Sequence, residues 1–161
     1  MRRSKFHLLL VLSCTALVML AYVGFMRWRY PGGDLSNNFM YVLPIIVPFV
    51  AFLFDRADQF RKAGLLELSL DSAVVAISIL RAFGGVPLVS GHALFLIYAI
   101  ARPGSRLTKI TAGLVMIQVL YMKFYLWHDL ITPVTGTALG LLAAAIVRRQ
   151  TIPRLVAQTN I

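Results

Sequence analysis

The chain reads as an all-α, polytopic membrane bundle of about six helices, and three observations predict it. Hydrophobic residues make up 59% of the 161 residues and charged ones only 14%, against about a quarter charged in a soluble domain. The apolar residues come in blocks rather than amphipathic stripes, the pattern of helices solvated by lipid. Most cations fall in gaps on one side of the membrane once the blocks are threaded through it. At this length the expectation is a single integral-membrane domain, 1–161, with no separate soluble unit.

The blocks are taken in order. Segment 6–26 follows Met1-Arg2-Arg3-Ser4-Lys5, a start that resembles a signal peptide, and Leu12-Ser13-Cys14 resembles a lipoprotein cleavage site. Only about six apolar residues precede Cys14, short of the roughly 7–15 of a signal core, and the apolar run continues to Met26. A retained first span is expected. Segment 39–54 carries Pro44 and Pro48, which kink a helix and free backbone carbonyls.

Segment 65–83 carries Glu67 and Asp71, four apart on one face near its inner end. The expectation is that they meet Arg61, Lys62 or water at an interfacial turn; the alternative is a proton or cation path. Segment 86–101 is short if it opens at Ser90-Gly91-His92, as expected of a turn lining a notch slightly below the membrane surface. Segment 110–127 ends in Tyr121, Phe124, Tyr125 and Trp127, an interfacial aromatic belt. Segment 130–147 carries Gly136 and Gly140 one turn apart, a spacing that permits close helix packing.

With the amino terminus inside, twelve of the sixteen cations lie on the inner face: Arg2, Arg3, Lys5, Arg56, Arg61, Lys62, Arg102, Arg106, Lys109, Arg148, Arg149 and Arg154. Arg27, Arg29, Arg81 and Lys123 lie on the other. That asymmetry places both termini in the cytoplasm and both His92 and His128 at the outer face. The net charge of +10 then reflects inner loops and anionic head groups rather than nucleic acid, because the basic residues are scattered over short loops. Cys14 is the single cysteine, which excludes an intrachain disulfide and a thiolate metal cluster. No metal or other cofactor is expected.

The outer face thus gathers two histidines, four cations and the acids Asp34 and Asp129. Ser90-Gly91-His92 at a helix start offers unpaired N–H groups and the positive end of a dipole. Gly91 lets an anion approach the backbone, and Ser90 caps the helix or donates its hydroxyl. His128 opens the last segment, with Lys123 a turn and a half earlier. Read alone, the first motif is equally a capped helix, and the second an interfacial histidine beside Trp127.

Together, the Ser-Gly-His turn and a histidine followed eight residues later by Gly136 resemble the type 2 phosphatidic acid phosphatase family, membrane lipid phosphatases related in fold to vanadium haloperoxidases. The resemblance covers the six-span layout and two of three motifs. It implies that His128 attacks phosphorus to form a phosphohistidine and that His92 protonates the leaving group. It further implies that Ser90 and Gly91 bind phosphate, without a metal. The chain departs from the pattern at Val74 for the first-motif lysine, with Arg81 at its arginine and Ala82 for its proline. Val89 replaces the proline before the second motif, and the third motif has Met122 for arginine and Thr132 for aspartate. Lys123, Arg27 and Arg29 are then the candidates to supply missing charge, and Thr132 or Asp129 to orient His128.

The function expected is hydrolysis of a lipid phosphate or polyprenyl diphosphate at the outer leaflet of a bacterial or archaeal plasma membrane. The alternatives are a lipid phosphotransferase and a phosphatase-like protein that binds lipid phosphate without turnover.

Overall fold

The computed structural model describes residues 2–60, 63–82 and 88–159. They form six α-helices: α1 (Arg2–Arg29), α2 (Ser36–Gln59), α3 (Leu65–Ala82), α4 (Gly91–Ala101), α5 (Arg106–Tyr121) and α6 (Ile131–Thr159). A π-helical turn, Met122–Leu126, extends α5. Each predicted block holds one helix, with α2 and α6 running further than their apolar cores. The six-span expectation is refined in one respect. Among the described residues four stretches are long and apolar enough to cross a membrane by length and composition: Leu8–Arg29, Phe39–Ala57, Arg106–Leu126 and Ile131–Arg149. In α3, Glu67, Asp71 and Arg81 interrupt the apolar run, and α4 has only 11 residues.

The short helix sits at the centre. Ala93, Leu94, Phe95, Leu96, Tyr98 and Ala99 of α4 are all buried, and α3, α5 and α6 surround it. Protein rather than lipid therefore surrounds α4, and it need not match the ~30 Å of hydrocarbon that a lipid-facing helix spans. α1 lies at the edge, packed on α2, with Leu9, Leu17 and Leu20 exposed toward the surroundings.

Glycines set the closest approaches. A Cβ on Gly136 would lie 2.5 Å from the Ser90 carbonyl oxygen, and one on Gly140 2.7 Å from that of Leu94. Their one-turn spacing therefore seats α6 against α4, as expected. Gly91 answers a different need from the one its motif suggests. A Cβ there would lie 2.6 Å from the Ser78 carbonyl oxygen and 2.9 Å from the Ser78 Cα, so what requires glycine is the press of α3 on α4.

Pro44 lacks the N–H that would bond to the Met40 carbonyl. Gln118 of α5 supplies a replacement, its Nε2 donating to that oxygen at 2.7 Å. Gln118→Leu is expected to cost about 0.5–1.5 kcal/mol, in the range of hydrogen bonds between membrane helices. A thermal unfolding series in detergent that found no loss would show that the carbonyl finds another donor.

At the end of the bundle away from His92 and His128, Glu67 and Asp71 are closed into a charged ring. Arg102 donates from Nη2 to Glu67 at 2.7 Å and pairs through Nε with Asp71 at 3.0 Å. Arg56 reaches Glu67 at 3.0 Å and also pairs with Asp71. Tyr98 adds a hydroxyl bond to Asp71 at 2.5 Å. This corrects the expected partners: Arg61 and Lys62 lie outside the described residues, and the two acids face arginines from α2 and the end of α4. Nearby, the Asp55 carboxylate accepts from Ser105 N at 2.9 Å and Thr108 Oγ1 at 2.8 Å, tying the end of α2 to the start of α5.

Candidate functional site

A cavity of about 240 Å³ opens at the other end of the bundle, lined by Tyr41, Ser78, Arg81, Ser90, Gly91, His92, Lys123 and Trp127. Three helices, α2, α3 and α4, and the turn after α5 bring these residues together, and local chemistry fixes each contribution. Ser90 is the N-cap of α4: its extended backbone ends the loop and its Oγ accepts from Ala93 N at 3.3 Å. The first N–H groups of α4 have no intrahelical acceptor, and the helix dipole adds partial positive charge at this wall. Arg81 is held by a 3.0 Å bond from Nε to the Val89 carbonyl, which leaves its terminal nitrogens as donors.

Lys123 owes its place to the π-helical turn. The N–H of Trp127 bonds five residues back to the Met122 carbonyl at 3.1 Å. The extra residue in the turn lets both Met122 and Lys123 be buried, and it is Lys123 that lines the cavity. Its Nζ donates to Asp129 Oδ2 at 2.8 Å and to Thr132 Oγ1 at 3.3 Å, and sits 5.2 Å from the Trp127 ring centroid. The Tyr41 ring packs 4.0 Å from that of His92 and 4.6 Å from that of Trp127, centroid to centroid. The three rings make one aromatic wall.

Asp129 caps α6, its Oδ1 accepting from Thr132 N at 3.1 Å while Thr132 Oγ1 donates to its Oδ2 at 2.5 Å. Partial desolvation pushes the Asp129 carboxyl up, but hydrogen bonds from Lys123 and Thr132 outweigh it and hold the group at about 2. A depressed value means the pair's stabilisation is complete above the ordinary carboxylate range and fades only as pH falls toward about 2. The start of α6 is also stitched to the cavity turn: Ser90 N donates to the Thr132 carbonyl at 2.8 Å, and Thr135 Oγ1 donates to the Leu88 carbonyl.

Five of the sequence-derived candidates therefore converge: Arg81, Ser90, Gly91, His92 and Lys123. Others do not. His128 is exposed, stands in the left-handed region at φ 49°, and makes no hydrogen bond or ion pair among the described residues. Thr132 and Asp129, expected to orient it, are occupied by Lys123 and each other. Arg27 donates to the Gly33 carbonyl at 3.5 Å and lies over Phe39, and Arg29 lies over Tyr30; neither lines the cavity. Asp34 Oδ1 accepts from Ser36 N at 2.9 Å in the turn before α2, and hydrogen bonds from the Ser36 backbone and side chain hold its carboxyl below the usual range.

Three lining residues were missed, Tyr41, Ser78 and Trp127, the last read from sequence only as part of the aromatic belt. The signal for Ser78 was its i, i+3 spacing to Arg81, which puts both on one face of α3. Tyr41 carried no local signal, because only the packing of α2 on α4 brings it near His92. Among the described residues no group of three or more His, Cys, Asp or Glu side chains is placed to hold a metal. No protein-family model, curated protein or solved structure matches the chain.

Proposed function

We propose that this membrane protein holds the phosphate of an anionic lipid in the Arg81–Ser90–Lys123 cavity, on the extracytoplasmic side. The observation that carries the reading is the convergence of Arg81, Lys123 and the capped start of α4 on one concave site. Two cations against the single carboxylate of Asp129 leave a positive balance, to which the α4 dipole adds. Arginine's planar fork suits phosphate oxygens, and the lysine adds a point charge. Tyr41 and Trp127 supply an apolar flank on which the lipid's glycerol or prenyl portion can rest.

Hydrolysis is the second reading, favoured by His92 in the cavity wall and by Trp127, the residue before His128, in the same wall. An imidazole nitrogen of His128 would form the N–P bond as the P–O bond to the lipid breaks, His92 giving a proton to the departing oxygen. Water would then cleave the phosphohistidine. This course requires the His128 loop to turn inward, which is why binding takes precedence.

Opposite-sign substitutions test the proposal. Dioctanoyl phosphatidic acid is titrated into detergent-solubilised protein, with dioctanoyl phosphatidylcholine as control and released phosphate assayed in parallel. Arg81→Ala is expected to weaken binding by roughly 10- to 100-fold, as for loss of a hydrogen bond to a charged group. Asp129→Asn keeps a competent cap but frees Lys123, and is expected to tighten binding about tenfold. If neither substitution moves the affinity, the cavity is not the phosphate site. Phosphate release abolished by His128→Ala would establish the hydrolytic reading instead.

A further inference from the structure

Among the described residues that line the cavity, Ser78 carries a buried polar atom that the fold leaves without a partner. Its Oγ is buried and has no hydrogen-bond partner among the described residues, although serines in helices commonly bond back to the carbonyl a turn earlier, as Ser69 does to Leu65 at 2.9 Å. A buried hydroxyl without a partner is unfavourable, and this one lines a cationic cavity beside Arg81. The backbone around it is fixed, because α3 is pressed onto α4 at Gly91, with the Ser78 Cα 2.9 Å from where a glycine Cβ would stand. One turn earlier on the same face, Val74 is buried in the core, so α3 presents no second cation to the cavity.

Resting on the phosphate-site reading, we infer that Ser78 is a ligand-contacting residue whose hydroxyl donates to a phosphate oxygen, completing with Arg81 a two-donor edge on α3. Arg81 contributes its charge and planar fork, and Ser78 a short neutral donor at fixed depth. The α4 N-terminus supports the same anion from the facing wall. The unpaired hydroxyl in the free protein and the anion in the bound one are then two halves of a single hydrogen bond.

The sign of the effect distinguishes this from a structural role. Dioctanoyl phosphatidic acid is titrated into wild type, Ser78→Ala, Ser78→Thr and Arg81→Ala, and each variant's melting temperature is recorded without lipid. For Ser78→Ala the expectation is about tenfold weaker binding with an unchanged or higher melting temperature, since the hydroxyl removed had no partner. Ser78→Thr, which keeps a hydroxyl, is expected to retain most of the affinity. Wild-type affinity in Ser78→Ala, with binding lost in Arg81→Ala, would overturn the role of Ser78 and leave the site standing. A melting temperature that falls together with affinity in Ser78→Ala would make the hydroxyl structural and overturn the inference equally. No saturable binding by wild type would remove the site itself.

Discussion

Arg102→Met is expected to be the most damaging single substitution in the chain, costing about 3–5 kcal/mol of folding free energy. Arg102 is 2% exposed, lies 5.4 Å from the Phe52 ring centroid and pairs with both acids of α3. Methionine fills the space of its stem but leaves Glu67 and Asp71 to share Arg56, with an uncompensated negative charge in the protein interior. Breaking one partner is what makes such a ring costly, since intact buried ion pairs contribute little against apolar replacements of the same volume. The double variant Arg102→Met/Asp71→Asn restores the charge balance and is expected to recover a large part of the loss. Unfolding in detergent followed by circular dichroism measures both. A loss below about 1 kcal/mol in the single variant would mean that water reaches the acids and screens them.

Gly136→Val comes next, at about 3 kcal/mol or slightly more, the upper end of what overpacking costs. The branched side chain would start 2.5 Å from the Ser90 carbonyl and 3.1 Å from Leu94 N, and neither is the end of a flexible side chain. Helices α4 and α6 must separate to admit it. The same motion pulls the Thr132 carbonyl from Ser90 N, a 2.8 Å bond at the cavity's rim, so lipid-phosphate affinity is expected to fall together with the melting temperature. Gly113, with open space around its Cβ position, is the control: Gly113→Ala is expected to leave stability unchanged or slightly raised, as alanine favours helix over glycine by roughly 1 kcal/mol. Equal effects at the two glycines would show that helix propensity, not interhelical contact, governs Gly136.

Much of the bundle was legible in the residue order because the signals are local. Apolar blocks, the capping serine Ser90, the backbone carbonyl that Pro44 frees and the Gly136–Gly140 spacing each act within a turn or two of helix. The site was legible in part. Arg81, Ser90, Gly91, His92 and Lys123 lie at or near the ends of their elements, which the order of helices brings to one end of the bundle; the same order did not bring Arg27, Arg29 or His128 into the cavity. Lys123 in place of Met122 needed the π-helical turn, which apolar periodicity does not encode.

What the sequence by itself determined is the all-α membrane class, the order and identity of six helices, and the close approach of α6 to a neighbour. The tertiary structure decided the partners. It gave Glu67 and Asp71 to Arg56 and Arg102. It set Gly91 against the Ser78 backbone, and it brought Tyr41 and Ser78 into the cavity that His128 does not line. Periodicity fixes which residues share a helix face, but each residue turns about 100° from the last. The rotation and register of neighbouring helices, set by packing of the whole bundle, choose what that face meets.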